Sequence, residues 1–303
     1  MTGTHSVPTP LEEALPPIRS TLEDASRLLV CLDFDGTLAP IVPDPDAATA
    51  TAANESAVAT LANDARVTTA IVSGRALTDV RTRIDGPAIY AGNHGLEVAR
   101  NDSVAIHPIA RKRASTIDHV CATLETVLES IPHAQVENKR LTGTVHVRSV
   151  PEPMRADVAR LTQSVVDRLG GDALSVSDGK RILEIGPSVP WGKGNAVELI
   201  EAACPPATVP IYIGDDVTDE SAFQAVEPEG IGVRVGDKHP SAASYRVDSP
   251  SDVAALLEWL GSAGVSLLED KSPPRQSPAD EGVRKRPAAA PPFQHSLEPS
   301  SGE

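Results

Sequence analysis

Short apolar runs rich in β-branched residues alternate along this chain with stretches of helical periodicity, and several of the runs stop at a turn carrying acidic or hydroxyl side chains. Leu28 to Phe34 (LLVCLDF) is of buried-strand type, and a polar loop with prolines follows it. Asn54 to Ala65 then places Val58, Leu61, Ala62 and Ala65 on one helical face. Val67 to Val72 is the next strand, Leu77, Val80 and Ile84 mark a helix, and Ala88 to Ala91 enters a third strand. Strands joined through helices lie parallel with helices on both faces, so the pattern predicts an α/β fold, a doubly wound, Rossmann-like parallel sheet.

The middle changes character. Ile117, Val120, Leu124, Val127, Leu128 and Ile131 form an apolar helical stripe stopped at Pro132, and Met154, Val158, Leu161, Val165 and Leu169 form a second, ended by Gly170-Gly171. Between them Thr144 to Arg148 alternates, with Val145 and Val147 on one face and Thr144, His146 and Arg148 on the other. Asp178-Gly179 separates two β-like runs as a type I′ hairpin would. Residues 107–185 therefore read as a small α+β domain inserted into a core of 27–106 and 186–269. The parallel pattern resumes with a helix over Lys193 to Ala203, strands at Val209 to Ile213 and Ile231 to Val235, and a helix over Ser251 to Leu260. Residues 1–26 are expected to be an N-terminal extension. Residues 270–303, rich in Pro, Ser and Ala, have too few large apolar groups to offset their ordering entropy and are expected to be a disordered tail.

Composition removes several function classes. Asp and Glu number 42 against 27 Lys and Arg, a net charge of −15, which argues against nucleic-acid binding and against a polybasic membrane surface. No run approaches the roughly 18 to 20 apolar residues of a bilayer span, and the N-terminus lacks a signal-peptide pattern. A soluble, cytoplasmic protein is expected, with Cys31, Cys121 and Cys204 as unpaired thiols. The acid excess is uneven: residues 107–185 carry net +1, and the flanking core −13, so the acidic core suits a divalent cation and Lys139, Arg148 and Lys180 of the inserted segment can bring positive charge to a dianionic ligand.

Chemistry collects at the ends of the expected strands. The first ends in Asp33-Phe34-Asp35-Gly36-Thr37, two carboxylates at i and i+2 on the edge where open α/β sheets place their sites. Asp-Gly alone would suit an Asx turn. Ser73-Gly74-Arg75 ends a second strand before a helix, where a hydroxyl and backbone N–H groups face an anion or simply cap the helix. Gly214-Asp215-Asp216-Val217-Thr218-Asp219-Glu220 ends a later strand; acids suit a first helical turn, yet so many exceed what a cap requires, and such hard oxygen ligands suit Mg²⁺. A carboxylate such as Asp33 that attacks a phosphate monoester approaches an anion with an anion, so cations are required. Mg²⁺ on Asp33, the Asp35 carbonyl and Asp215 would supply charge, and Lys193 in Trp191-Gly192-Lys193-Gly194 is the best placed lysine.

In that order, DFDGTLAP, SGR, a helix start with Lys-Gly, and GDDVTDE resemble the four motifs of haloacid-dehalogenase-type (HAD) phosphohydrolases, with the inserted segment as a C2-type cap. Further stretches, YAGNHGLEV (90–98), VENKRLTGTVHVR (136–148), GKRILEIGP (179–187) and PIYIGDDVTDESAF, are similar to those of trehalose-6-phosphate phosphatases. The resemblance implies a Mg²⁺-dependent phosphoric monoester hydrolase. Asp33 would be the nucleophile forming an aspartyl phosphate, and Asp35 the acid and then the base. Ser73 and Lys193 would hold phosphoryl oxygens, with Gly74 and Arg75 beside them, and Asp215 would bind the metal with Asp216 and Asp219 tuning it. Asn93 and His94 would lie on the core side of the cleft, and Glu137, Lys139, His146, Arg148 and Glu184 would meet the sugar phosphate from the cap. Gly186 departs from the pattern, since many relatives carry Arg there, which puts one substrate or interdomain cation in doubt.

A sugar phosphate is the implied ligand, and the synthase that makes it a candidate partner. The nearest alternative keeps the chemistry and changes the ester to glucosylglycerol, sucrose or mannosylglycerate phosphate. A receiver domain also combines acids, Lys and Mg²⁺ but places its acid pair first and its phosphoacceptor later, the reverse of the order here. The intact Asp33, Asp35, Lys193 and Asp215 argue against a regulatory pseudoenzyme.

Overall fold

The apolar runs form the centre of a nine-stranded sheet in a computed structural model that describes residues 6–268. Strand β1 (Thr9–Pro10) and helix α1 (Leu11–Glu23) precede the central strand β2 (Arg27–Leu32), and α2 (Ala52–Ala62) leads to β3 (Val67–Val72). Helix α3 (Leu77–Arg83) then leads to β4 (Ile89–Gly92), β5 (Glu97–Arg100) and β6 (Ser103–Ile106). A second, four-stranded sheet follows. Its strands β7 (Gln135–Asn138), β8 (Gly143–His146), β9 (Leu174–Gly179) and β10 (Ile182–Pro187) are accompanied by helices α4 (Pro108–Leu128), before β7, and α5 (Glu152–Leu169), between β8 and β9. The chain returns through α6 (Lys193–Glu201), β11 (Thr208–Gly214), α7 (Glu220–Val226), β12 (Ile231–Val235), β13 (Tyr245–Val247) and α8 (Pro250–Trp259).

The large sheet runs β1-β13-β12-β11-β2-β3-β4-β5-β6. Its strands are parallel from β1 to β4, and β5 and β6 extend it antiparallel. Side chains of β2 alternate between the two faces. Leu28, Val30 and Leu32 pack with Ile18, Leu22, Val58 and Leu257, whereas Leu29 and Cys31 pack with Val197, Tyr212 and Phe223. Each fully buried Leu or Val contributes about 1.5–3 kcal/mol relative to exposure. The chain leaves β2 toward β3 on one side and reaches β11 on the other, so the C-terminal ends of β2, β3 and β11 meet at a topological switch point.

The second sheet has the order β7-β8-β10-β9 and is antiparallel throughout. Its apolar face, with Val145, Leu183 and Ile185, packs on Ile117, Leu124 and Val158 of α4 and α5. The other face carries cross-strand rows, Gln135–His146–Ile182 and Glu137–Thr144–Glu184. Where the chain enters and leaves this segment, the rings of His107 and Trp191 lie 4.8 Å apart.

Several local expectations shift. Thr51 caps the start of α2, its hydroxyl accepting from Asn54 N–H at 3.2 Å, and the helix closes at Asn63, whose N–H donates to Thr60 O, so Ala65 is exposed beyond it. The Asp178-Gly179 pair is strand, not turn: Asp178 pairs with Leu183 and Gly179 with Ile182, and the turn is Lys180-Arg181, with Arg181 at φ 67°. β8 stops at His146, so Arg148 stands in the turn before α5 rather than on the strand. Residues 9–23 supply β1 and α1, with Ile18 and Leu22 buried against the large sheet. The tail of 270–303 lies outside the described residues. Among the described residues no helix is long and apolar enough to cross a membrane.

Candidate active site

Asp33 follows β2 directly, and its N–H donates to Ile213 O of β11 at 2.9 Å. Gly36 takes φ 81°, and a Cβ there would lie 2.3 Å from Asp215 Cγ. The glycine of the first acidic turn is therefore the seat for the acid of the last one. A comparable close approach joins Gly74 to His94, whose Cε1 would be 2.6 Å from an added Cβ. His94 is held there by a left-handed backbone at Asn93 (φ 49°) and itself (φ 56°), with its N–H donating to Ser73 O at 2.9 Å.

At the bottom of the cleft, Lys193 opens α6, 3% exposed, and its Nζ lies 3.0 Å from Asp33 Oδ1 and 2.7 Å from Asp219 Oδ1. Burial works against the charge on Lys193, but Asp219 and Asp33 outweigh it and hold its pKa above the ordinary value. Burial pushes Asp33 well up against the opposing pull of Lys193. Asp219 is lowered, because Lys193 and Tyr212 outweigh its burial. The phenol of Tyr212, itself pushed well up by burial, donates to Asp219 Oδ1 at 2.6 Å.

Asp35 sits in a guanidinium fork: Arg75 Nε donates to Oδ2 and Nη2 to Oδ1, both at 2.7 Å. Arg75 also donates to Asp79 at 2.9 Å and Pro45 O at 2.8 Å, and lies over the Phe34 ring. Ser73 is buried, its hydroxyl accepting from Arg75 N–H at 3.2 Å.

These groups face a cleft of about 610 Å³ whose opposite wall is the polar face of the second sheet, with Glu137, His146 and Glu184, and the turns beside it, with Lys139 and Arg148. Glu184 accepts from His94 with 3.0 Å between Nε2 and Oε2; burial raises its pKa, but the His94 hydrogen bond outweighs it and holds it at about 2. Glu137 pairs with His146 at 2.9 Å, and Lys139 Nζ donates to Gly74 O at 3.1 Å.

The structure brings together all the expected residues, with two corrections. Asn93 has no free polar group: its Nδ2 donates to Glu97 Oε1 and Lys139 O, and its Oδ1 accepts from Thr142 at 2.5 Å. It joins the two sheets rather than offering the cleft a ligand atom. Asp219 belongs to an acidic cluster with Asp33 and Asp215, whose oxygens lie within 4.8 Å of one another. Its Oδ1 is taken by Lys193 and Tyr212 and its Oδ2 by Asp216 N–H at 2.8 Å, so it supports the cluster rather than facing it. Asp33, Asp35 and Asp215 remain as an all-oxygen donor set that fits a hard divalent cation.

Lys180, offered by the sequence as one of the inserted segment's cations for a dianionic substrate, is held by the acidic turn. From the β9–β10 turn its Nζ reaches Asp215 Oδ2 at 2.8 Å and Asp216 Oδ1 at 3.2 Å. His133, Gln135 and Ser149 also line the cleft. None of these three stands in a motif that marks it in the sequence.

A parallel sheet with acids and a lysine at its switch point, faced across one cleft by an inserted α+β segment, defines an α/β protein with a charged site between two sheets. Two solved structures share the fold. One is a trehalose-6-phosphate phosphatase related protein, with TM-score 0.70 and 23% identity over 78% of this chain and 99% of that one. The other is the C-terminal domain of C. albicans trehalose-6-phosphate phosphatase, with TM-score 0.70 and 20% identity over 85% and 98%. A family profile described as trehalose-phosphatase matches residues 31–251, and the chain belongs to that family. A trehalose-phosphate phosphatase of Mycobacterium marinum is 38% identical over 249 residues, 78% of this chain and 62% of that protein. Trehalose-phosphate phosphatase B of Arabidopsis thaliana is 35% identical over 253 residues, 77% of this chain and 66% of that protein. The chain thus spans just under two thirds of the length of these curated relatives.

Proposed function

We propose that the chain hydrolyses trehalose 6-phosphate to trehalose and phosphate. The observation that carries this is the opposition of two walls: Asp33 with Lys193, and Asp35 with Arg75, face Glu137, His146 and Glu184 across one cleft. The first wall suits a phosphoryl group and the second a polyhydroxylated one.

In this reading a carboxylate oxygen of Asp33 forms a bond to phosphorus as the bond from phosphorus to the sugar oxygen breaks. Asp35 gives its proton to the departing oxygen, and Lys193 and Ser73 hold the phosphoryl oxygens. Asp35 then takes a proton from the water that cleaves the acyl phosphate and regenerates Asp33. Asp35 turns out of the Arg75 fork to do so; its side chain, 37% exposed, is less confined than Asp33, Asp215 or Asp216. Mg²⁺, held by Asp33, the Asp35 carbonyl and Asp215, would supply positive charge against the phosphoryl group. Residues 107–185 act as a cap over the core of 27–106 and 186–269, excluding water while Asp35 serves as acid. The three unpaired cysteines among the described residues support a reducing, cytoplasmic setting. The synthase that supplies the substrate is the protein partner to test first.

The decisive experiment is phosphate release from trehalose 6-phosphate beside sucrose, glucosylglycerol and mannosylglycerate phosphates, each with Mg²⁺ and with chelator. Preference for the trehalose ester and loss of activity with chelator are expected. Equal rates across the esters would refute the substrate, and full activity with chelator would refute the metal.

A further inference from the structure

One member of the buried charge cluster has no task in the proposed chemistry, the phenol of Tyr212. Its ring lies on β11 without exposure and meets Phe223 edge-on at 5.5 Å between centroids. A phenylalanine would fill that volume, so packing alone gives no reason for a hydroxyl in this place. The hydroxyl shares Asp219 Oδ1 with Lys193 Nζ, at 2.6 and 2.7 Å, while Asp216 N–H occupies Oδ2.

Lys193 carries three N–H donors, and Asp33 and Asp219 take two of them. One donor is left for an arriving phosphoryl oxygen, and a closer or second contact to the dianion draws the ammonium away from Asp219. Asp219 is wholly buried, so no water can replace the ammonium as it turns, and a buried carboxylate that loses a donor pulls that donor back. We infer that Tyr212 is a positioning residue for phosphoryl binding: its hydroxyl keeps Asp219 satisfied, so that Lys193 is free to reorient from the carboxylate to the phosphoryl oxygens. This rests on the reading that Lys193 receives the phosphoryl group.

The test is calorimetric binding of inorganic phosphate and of trehalose, each with Mg²⁺, to wild type, Tyr212→Phe, Asp219→Asn and the double variant. Tyr212→Phe is expected to weaken phosphate binding roughly tenfold to a hundredfold, the range of a hydrogen bond to a charged group, and to leave trehalose binding within about twofold. In the Asp219→Asn background the same change is expected to cost less than about threefold, because the pull it relieves is already gone. Unchanged phosphate affinity in Tyr212→Phe overturns the inference. So does an equal loss for phosphate and trehalose, which assigns the phenol to packing and decides the matter even if Asp219→Asn does not fold. Wild-type turnover measured alongside separates the two readings. If wild type turns over the sugar phosphate while Tyr212→Phe binds phosphate normally, the inference fails and the proposed function stands. If wild type does not turn it over, the proposed function fails and the phosphate affinities still decide the role of the phenol.

Discussion

Replacing Lys193 by Met tests the buried cluster through stability as well as turnover. The substitution keeps volume and removes the cation between Asp33 and Asp219, which are 4% and 0% exposed. Removing one partner of a buried ion pair costs about 3–5 kcal/mol, and here two carboxylates lose the same partner. Protonation limits the cost. Burial already raises Asp33 in the wild type, and loss of Lys193 removes the main opposing pull on it and on Asp219. Asp33 then stays raised by its burial, and Asp219 is expected to move up as burial loses its main opponent. A carboxyl raised on folding contributes stability that is present below its unfolded pKa and lost as pH rises through its folded pKa. The penalty in the variant therefore grows with pH from about 4 upward, by up to about 1.4 kcal/mol per pH unit for each carboxyl that stays protonated. Urea unfolding of wild type and variant at pH 5 and pH 7.5 measures this, and the variant is expected to be closer to wild type at pH 5 by roughly 2–4 kcal/mol. Phosphatase activity is expected to fall at least about a hundredfold. A stability difference that does not change between the two pH values would refute the argument from the buried carboxylates.

Two further substitutions and a control test the geometry around the cleft. Glu184 is lowered from 4.5 to about 2, the His94 hydrogen bond outweighing burial, so its contribution is whole above about 4.5 and is lost as pH falls through about 2. Glu184→Gln is expected to destabilise by about 2–3 kcal/mol at pH 7, a difference that shrinks below pH 4.5 in urea titrations; a constant difference would count against the pair. Gly36→Ala puts a Cβ at φ 81° and 2.3 Å from Asp215 Cγ, with an expected loss of more than about 1 kcal/mol and of most activity. Gly186→Ala, whose Cβ would meet only Thr142 Cγ2 at 3.6 Å, is the control and should melt within about 0.5 kcal/mol of wild type.

What the sequence discloses of this site follows from how local each determinant is. Asp33 and Asp35 are legible because a buried strand, a carboxylate pair and a turn glycine lie in one short string, and the parallel sheet fixes where that string must end. The roles of Asn93 and Asp219 depend on partners far along the chain, Thr142 and Lys139 for the first and Lys193 for the second, so their residue types suggest a ligand where the fold uses them as supports. Asp178-Gly179 has strong turn chemistry, but β9 pairs with β10 to the end of its length and carries the turn two residues on, which delivers Lys180 to Asp215. Strands as short as β5, β6 and β13 leave no usable period. Tyr212 is hidden for another reason: inside an apolar run its ring reads as core, and only the structure shows where the hydroxyl goes.

The charge of the cleft governs how a dianion enters an acidic protein. Asp33, Asp35, Asp44, Asp46, Glu137, Glu184, Asp215 and Asp216 line it against Arg75, Lys139, Arg148, Lys180 and Lys193, a net charge of −3 with neutral histidines. Of these cations, Arg75, Lys180 and Lys193 each already contact two carboxylates. A phosphoryl dianion arriving alone must compete for them in a site that repels it, whereas a divalent cation on the acidic cluster offsets most of the repulsion before it arrives. Phosphate and Mg²⁺ should therefore bind synergistically, and linkage requires each to tighten the other by the same factor. A coupling of about tenfold or more is expected from their direct attraction at an effective dielectric near 20. Calorimetry with inorganic phosphate in the presence and absence of Mg²⁺, and with Mg²⁺ in the presence and absence of phosphate, closes this cycle without turnover. Phosphate that binds equally well without Mg²⁺ would mean that the paired lysines and arginine suffice, and the argument from the cleft's charge would fall.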